Sequence, residues 1–146
     1  PAEEELLKIV EESASFEGRC AGALLKRLEA GEIFNLTYDY PVQFWMLGEQ
    51  PIVSLGGEVV VEYSIELKRA LGENLFVMAY SNDVMAYIPS TTILREGGYE
   101  GATSQMVYGL PSTWASSIEI KILNELVRLA EDVGVSQEES KLVNNN

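Results

Sequence analysis

The order in which helix-like and strand-like segments follow one another constrains the fold of this chain more than any other feature. Ala21, Leu24, Leu25 and Leu28 recur at the spacing of one helix face, whereas residues 41–47 and 51–55 are rich in side chains that favour strands. One further helix pattern, one apolar strand pattern and a last long helix pattern follow. The order αα-ββ-α-β-α predicts one α/β domain with a mixed or antiparallel sheet flanked by helices.

The predicted elements have the following bounds. A first helix lies around Leu6 and Val10, and a second ends at Gly31. An antiparallel hairpin over 41–47 and 51–55 precedes a helix from about Glu58 to Leu71, a strand over 74–80 and a helix over 115–133. Residues 81–113 match no regular pattern, and this stretch exceeds the roughly 12–15 residues that a structureless loop usually reaches without a functional reason. We expect residues 135–146 to form a polar tail.

Composition and charge exclude several classes of function. Hydrophobic residues make up 47% of the chain and charged residues 23%, which is typical of a folded globular domain. The 10 basic and 23 acidic residues give a net charge of −13, which argues against nucleic acid as a partner and disfavours an anionic bilayer surface. No apolar run approaches the roughly 20 residues of a transmembrane helix, so we expect no transmembrane span. The compartment stays undetermined, since Cys20 is the only cysteine.

Three residues stand out as candidates for chemistry: Glu58, Tyr87 and Tyr99. Glu58 follows two glycines where a predicted strand passes into a predicted helix, and a helix dipole at that point favours an ionised carboxylate. The two tyrosines lie twelve positions apart in the loop-rich segment, where glycine, proline and aromatic residues are concentrated. Because binding groups collect on loops held by a rigid scaffold, this segment is predicted to hold a site.

Each candidate also has a purely structural interpretation. Glu58 could simply occupy the favourable first turn of a helix. Tyr87, beside Ile88 and Pro89, could pack its ring while its hydroxyl satisfies a backbone group. Tyr99 could be a surface tyrosine in a turn, although the glycines around it leave room for a substrate.

Asn82 and Tyr108 are predicted to bind substrate. Asn82 and Asp83 could instead cap the turn that follows a strand, and capping is the favoured interpretation for Asp83. Tyr108 and Trp114 could line an apolar channel for an acyl chain together with Leu110 and Pro111. Aromatic residues next to a long helix could equally belong to the core.

The segment from about Tyr40 to Trp114 resembles the C-terminal part of the catalytic region of the neutral/alkaline non-lysosomal ceramidase family, including its bacterial ceramidase-like branch. The resemblance is carried by Gly57-Glu58, by Tyr87 within Ala86-Tyr87-Ile88 and by Tyr99 within Tyr99-Glu100. These enzymes are zinc-dependent amidases that hydrolyse the N-acyl bond of ceramide. The resemblance implies that Glu58 and Tyr87 bind zinc and that Tyr99 faces the substrate and donates to its carbonyl oxygen.

The absence of histidine from these 146 residues is the main departure from that family. The family's zinc site also uses two histidines from its N-terminal half, so residues 1–134 are expected to be the C-terminal portion of a larger catalytic domain. A histidine-bearing chain or segment would complete the site, and the substrate would be an N-acyl lipid or a small amide. The alternative is a non-catalytic α/β binding or assembly module that has lost the histidine-bearing half.

Overall fold

The fold is described from a computed structural model, which covers residues 3–12 and 15–135. Its elements in chain order are α1 (Glu3–Glu12), α2 (Phe16–Glu29), β1 (Val42–Leu47), β2 (Gln50–Leu55), β3 (Glu58–Val59), α3 (Val61–Leu71), β4 (Phe76–Met78), β5 (Tyr87–Ile88), α4 (Thr91–Glu96), a π-helical turn (Tyr99–Thr103), α5 (Ser104–Val107) and α6 (Ile118–Asp132). Helices flank a small mixed sheet, so the predicted α/β fold class is confirmed.

The strands form two small sheets. In the larger, β2 pairs antiparallel with β1 and parallel with β4, in the order β1-β2-β4. In the smaller, β3 and β5 pair in parallel, with Glu58 opposite Tyr87 and Val59 opposite Ile88. The predicted hairpin is therefore confirmed, and the predicted strand over 74–80 is a shorter strand, β4.

The main core lies between the larger sheet and helices α3 and α6. Val53 and Leu55 project from β2 toward Leu67 of α3 and Leu126 of α6, and all four side chains are buried. Burying side chains of this size contributes about 1.5–3 kcal/mol each, so this contact is the main source of stability in the chain. The hairpin of α1 and α2 has a smaller core of its own, which includes Leu6, Ala21, Leu24 and Leu25.

Two sequence predictions are wrong. Helix α3 begins at Val61, because Glu58 and Val59 are held in a strand by backbone hydrogen bonds to β5. The stretch over 81–113 is not irregular, since it contains β5, α4, the π-helical turn and α5. Short elements of two to six residues leave too weak a periodic pattern to be recognised in a sequence.

At the C-terminus, ordered structure extends one residue into the predicted tail. The Val135 amide donates to the Ala130 carbonyl at 2.9 Å, and its side chain packs on the main core. The rest of the predicted tail lies outside the described residues. Within the parts of the chain that the structure covers, no helix combines the length and the apolar character needed to cross a membrane.

Candidate functional site

The candidate site lies where the chain leaves the carboxyl ends of the two parallel strands of the larger sheet. Glu58 follows β2, and Tyr80 follows β4. In open α/β sheets, ligands commonly bind outside the carboxyl ends of the strands, because loops from neighbouring strands converge there. The position of the site in the fold is therefore typical of a binding site.

A ladder of backbone hydrogen bonds fixes Glu58 beside Tyr87. The Gly57 amide donates to the Asp83 carbonyl at 2.7 Å, and the Glu58 amide donates to the Ala86 carbonyl at 2.8 Å. Glu58 and Tyr87 are direct partners in the parallel pairing of β3 and β5. Because directly paired residues of neighbouring strands project to the same side of a sheet, their side chains lie next to each other.

Gly57 makes this close approach possible. Its φ of 74° lies in the left-handed region, and a Cβ atom there would lie only 2.8 Å from the Ala86 carbonyl oxygen and from Cγ1 of Ile88. Any other residue would be strained and would also push the two strands apart. The glycine that precedes Glu58 is thus required by the geometry of the site.

The Glu58 carboxylate is surrounded by phenol groups. Tyr108 donates its hydroxyl to Oε2 of Glu58 at 3.2 Å, and the hydroxyls of Tyr80 and Tyr87 lie near enough to the carboxylate to affect its pKa. Burial raises the pKa of the Glu58 carboxyl, but the three phenols together outweigh burial and hold this pKa below its ordinary value. The carboxylate therefore stays ionised, with no cation paired to it within residues 3–12 and 15–135.

The pKa values of the three phenols shift in the opposite direction, upward from their ordinary value. The hydrogen bond with Glu58 is the largest cause that raises the pKa of Tyr87, and the same contact is the largest cause for Tyr80. The pKa of Tyr108 is raised mainly by burial and, next, by its hydrogen bond to Glu58. A phenol that donates to a carboxylate keeps its proton more strongly, since ionisation would break the bond and bring two negative charges together.

Tyr99 completes the cluster through an aromatic contact. Its ring centroid lies 5.6 Å from that of Tyr87, with the ring planes at 76°, which is the edge-to-face arrangement favoured by aromatic pairs. The Tyr99 side chain is 46% exposed, so it remains accessible from solvent while it contacts a member of the cluster. We call Glu58, Tyr80, Tyr87, Tyr99 and Tyr108 the tyrosine–carboxylate cluster.

Two side chains donate hydrogen bonds to the backbone carbonyl of Tyr87. Trp114 donates its Nε1 hydrogen to the Tyr87 carbonyl at 2.7 Å, and Gln105 donates from Nε2 to the same oxygen at 3.4 Å. Trp114 also packs against the main core. Trp114 could line a channel or belong to the core, and the structure shows the core contact. Its indole also positions Tyr87 through the hydrogen bond to the Tyr87 carbonyl.

Four of the five predicted site residues meet in this cluster: Glu58, Tyr87, Tyr99 and Tyr108. Asn82 does not join them, because its side chain is exposed and, among the described residues, it has no hydrogen bond to the cluster. Its φ of 67° places it at the centre of a tight turn, in which the Asp83 amide donates to the Ser81 carbonyl at 2.9 Å. The Asp83 carboxylate accepts a hydrogen bond from Tyr38 at 2.6 Å.

Tyr80 is the member of the cluster that sequence reasoning missed. The sequence pattern places Tyr80 at the end of the predicted strand over 74–80, where its side chain would simply point to one face of the sheet. Its φ of 55° instead turns the chain at that point. A polar aromatic residue directly before Ser81-Asn82-Asp83 was the one available signal, since these residue types often mark a turn.

Comparisons with models of protein families, with curated proteins and with solved structures find no match to this chain. Within residues 3–12 and 15–135, no three His, Cys, Asp or Glu side chains lie close enough together to hold a metal ion. The site that these residues do form is the tyrosine–carboxylate cluster.

A comparison of two glycine substitutions tests the close approach at Gly57. Gly57 and Gly97 have nearly the same φ, 74° and 73°, but a Cβ at Gly97 would meet nothing within 4 Å. Gly97→Ala should lower the free energy of unfolding by about 1–3 kcal/mol through backbone strain alone, because its φ of 73° and ψ of −133° suit only glycine well. Gly57→Ala should cost roughly 1–3 kcal/mol more, because it also overpacks against β5. Urea denaturation followed by circular dichroism measures both, and equal losses would contradict the packing argument.

The tyrosine titration of the folded chain tests the contacts of Glu58. Glu58→Gln removes the negative charge that holds the protons on Tyr80 and Tyr87, so the pKa of each should fall back toward the ordinary value of about 10. Ultraviolet absorbance of the phenolate against pH measures this change, while circular dichroism verifies that the chain stays folded. Glu73→Gln, which changes an exposed carboxylate before β4, is the matched control and should leave the curve unchanged.

The same pKa shifts imply a dependence of stability on pH. Because the pKa of Tyr87 is higher in the folded state than in the unfolded state, its stabilising contribution is complete below the unfolded value and is lost as pH rises through the folded value. In the Glu58→Gln variant the folded value falls toward the unfolded value, so most of this contribution should be absent at every pH. A titration curve that does not differ between the two proteins would show that Glu58 does not contact the phenols.

Proposed function

We propose that this chain is the C-terminal part of a zinc-dependent amidase of the neutral ceramidase type, which hydrolyses the N-acyl bond of a ceramide-like lipid or of a smaller amide. The observation that carries the proposal is the pairing of Glu58 with Tyr87. The two residues that the family resemblance implies as zinc ligands are direct partners in one two-stranded sheet, so their side chains lie next to each other.

The chemistry of the donor set fits half of a zinc site. A carboxylate oxygen is an accepted zinc ligand. The family resemblance implies the Tyr87 oxygen as a second ligand, and zinc would have to displace the phenol proton that Glu58 stabilises in the metal-free chain. A catalytic zinc is held by three protein ligands and keeps an open position, so at least one more ligand is needed. The family resemblance assigns that role to histidine, which must come from outside these 146 residues.

The other tyrosines have separate roles in this proposal. Tyr108 donates to the Glu58 carboxylate and so orients it, in the way that outer hydrogen bonds usually fix metal-binding carboxylates, and Tyr80 lies beside the same carboxylate. These phenols are neutral, so Glu58 keeps its full negative charge for a cation. An arginine partner would have neutralised that charge.

Tyr99 is proposed to bind the substrate. Its ring rests against Tyr87, its side chain is half exposed, and glycines lie on both sides of it in Gly98-Tyr99-Glu100-Gly101. In this position the Tyr99 hydroxyl donates to the carbonyl oxygen of the amide and stabilises the negative charge that develops on it. Zinc, when bound, would activate a water molecule and polarise the same carbonyl.

Zinc content tests the role of Glu58. The protein is isolated in its native form, as the full polypeptide or with its copurifying chains, and zinc is measured by elemental analysis together with intact mass. We expect about one zinc per assembly. Glu58→Ala should weaken zinc binding by more than the roughly 10–100-fold that loss of an outer-shell partner costs. Glu73→Ala is the control. Unchanged zinc in Glu58→Ala would exclude Glu58 as a ligand, and an assembly without zinc would favour the non-catalytic binding or assembly module.

Amide hydrolysis tests the role of Tyr99. In the assembled protein, Tyr99→Phe should lower kcat for release of fatty acid from ceramide or a smaller N-acyl amide by about 10²–10³-fold, since it removes one oxyanion donor. Zinc content should not change. Tyr38→Phe removes a hydroxyl that bonds Asp83 rather than Glu58 and is the matched control. A full kcat in Tyr99→Phe would exclude this donor role.

A further inference from the structure

A cavity of about 640 Å³ lies between α6, the segment that precedes β1 and the loop that precedes α6. Small-molecule sites in proteins usually have volumes of roughly 300–1,000 Å³ and mainly apolar walls. Its lining residues include Tyr38, Tyr40, Trp114, Ile118, Lys121 and Glu125. Of the described residues that line it, none belongs to the tyrosine–carboxylate cluster. The cavity is therefore separate from the site described above, and we call it the α6 cavity.

Aromatic side chains form part of the wall of the α6 cavity. Tyr38, Tyr40 and Trp114 all line it. The rings of Tyr38 and Trp114 pack edge to face, with their centroids 6.3 Å apart and their planes at 77°. Aromatic rings favour edge-to-face and offset-stacked contacts with one another, so a wall of this kind suits a ligand that itself carries an aromatic ring.

The polar ends of these three side chains already have partners within the protein. Tyr40 donates its hydroxyl to the Gly56 carbonyl at 2.7 Å, and Trp114 donates to the Tyr87 carbonyl. The Tyr38 hydroxyl donates to a carboxylate at 2.6 Å. The three residues therefore offer ring surface to a ligand. A ligand in the α6 cavity would also contact side chains that hydrogen bond to the backbone around the cluster.

One charged group of the α6 cavity has no partner. The charged side chains that line the cavity are Lys121 and Glu125. Glu125 accepts two hydrogen bonds from Arg128, at 2.7 Å and 3.0 Å. Lys121 makes no ion pair with any residue that the structure describes. An ammonium group without a partner favours an anionic group on the ligand, and a carboxylate accepts its hydrogen bonds well.

The overall charge of the chain does not decide which ligand fits. The net charge is −13, but at physiological ionic strength charges more than about 8 Å away are largely screened. The charges that line the cavity therefore dominate. Aromatic walls also bind quaternary ammonium ions. Lys121 disfavours such a ligand, because it would place two positive charges in the same cavity.

We propose that the α6 cavity binds a small aromatic carboxylate, whose ring packs against Tyr38 and Trp114 and whose carboxylate pairs with Lys121. The proposal does not depend on zinc or on amide hydrolysis, because it uses no residue of the tyrosine–carboxylate cluster. It assigns this protein a second ligand site, next to α6.

Four probes of similar size test the chemistry of the ligand. Naphthoate, naphthylmethanol and naphthylmethyl-trimethylammonium share one ring system and differ in charge, and decahydronaphthoate keeps the carboxylate but lacks aromatic rings. Isothermal titration calorimetry on the native protein measures the four affinities. We expect naphthoate to bind about tenfold more tightly than the alcohol, and the ammonium probe to bind most weakly. Naphthoate should also bind about two- to tenfold more tightly than its saturated counterpart.

Two pairs of variants test where the probe binds. Lys121→Gln should lower the affinity for naphthoate to that for the alcohol and leave the alcohol unaffected, whereas Lys26→Gln changes an exposed lysine of α2 outside the cavity and should have no effect. Thr113→Trp places a large side chain at an exposed lining position and should weaken binding of naphthoate at least tenfold. Thr92→Trp, at an exposed position of α4, is its control. Circular dichroism verifies that each variant is folded.

Several results would overturn the proposal. Naphthoate that binds no more tightly than the alcohol, the ammonium probe or decahydronaphthoate would exclude an aromatic carboxylate as the ligand. Unchanged naphthoate affinity in Lys121→Gln or in Thr113→Trp would place the binding outside the α6 cavity. Absence of binding by all four probes would exclude the site. None of these results affects the zinc proposal, which is tested at Glu58 and Tyr99.

Discussion

The parallel pairing of β3 with β5 is the contact on which the site depends. Only two residues pair on each side, yet this pairing places the carboxylate of Glu58 against the phenol of Tyr87 across 29 positions of sequence. So short a ladder is not stable alone, since even isolated two-stranded hairpins are marginal. It is held because Ile88 belongs to the main core and because Trp114 binds the Tyr87 carbonyl. Packing in the main core therefore fixes the geometry of the site.

The electrostatic character of the site follows from its neutral donors. The ion pairs that the structure describes are exposed and mostly local along helices, as between Arg128 and Glu125, and such pairs contribute little. Glu58 is instead satisfied by phenols, which lower its pKa without cancelling its charge. In a chain with a net charge of −13, this leaves a fixed anionic oxygen in an aromatic setting. That combination suits a cation, and it gives the zinc proposal a physical basis beyond the family resemblance.

The larger sheet is covered on one face only. Helices α3 and α6 pack against one of its faces, whereas Trp45 and Phe76 are exposed on the other. In the zinc proposal, Glu58 and Tyr87 would supply two oxygen ligands, whereas a catalytic zinc is held by at least three protein ligands. The proposal therefore requires at least one ligand from outside these residues.

Much of this protein is determined by its sequence alone. The helix pattern at Leu24 and Leu28 and the strand pattern over 51–55 predict the α/β class, because hydrophobic periodicity is a local property of the chain. The glycines before Glu58 and the spacing of Tyr87 and Tyr99 indicate a site. Only the tertiary structure decided that Glu58 lies in a strand, since a strand of two residues exists through its partner and not through any pattern of its own. The tertiary structure also decided that Tyr80 belongs to the cluster. The left-handed turn at Tyr80 and its proximity to Glu58 both depend on how distant segments of the chain pack.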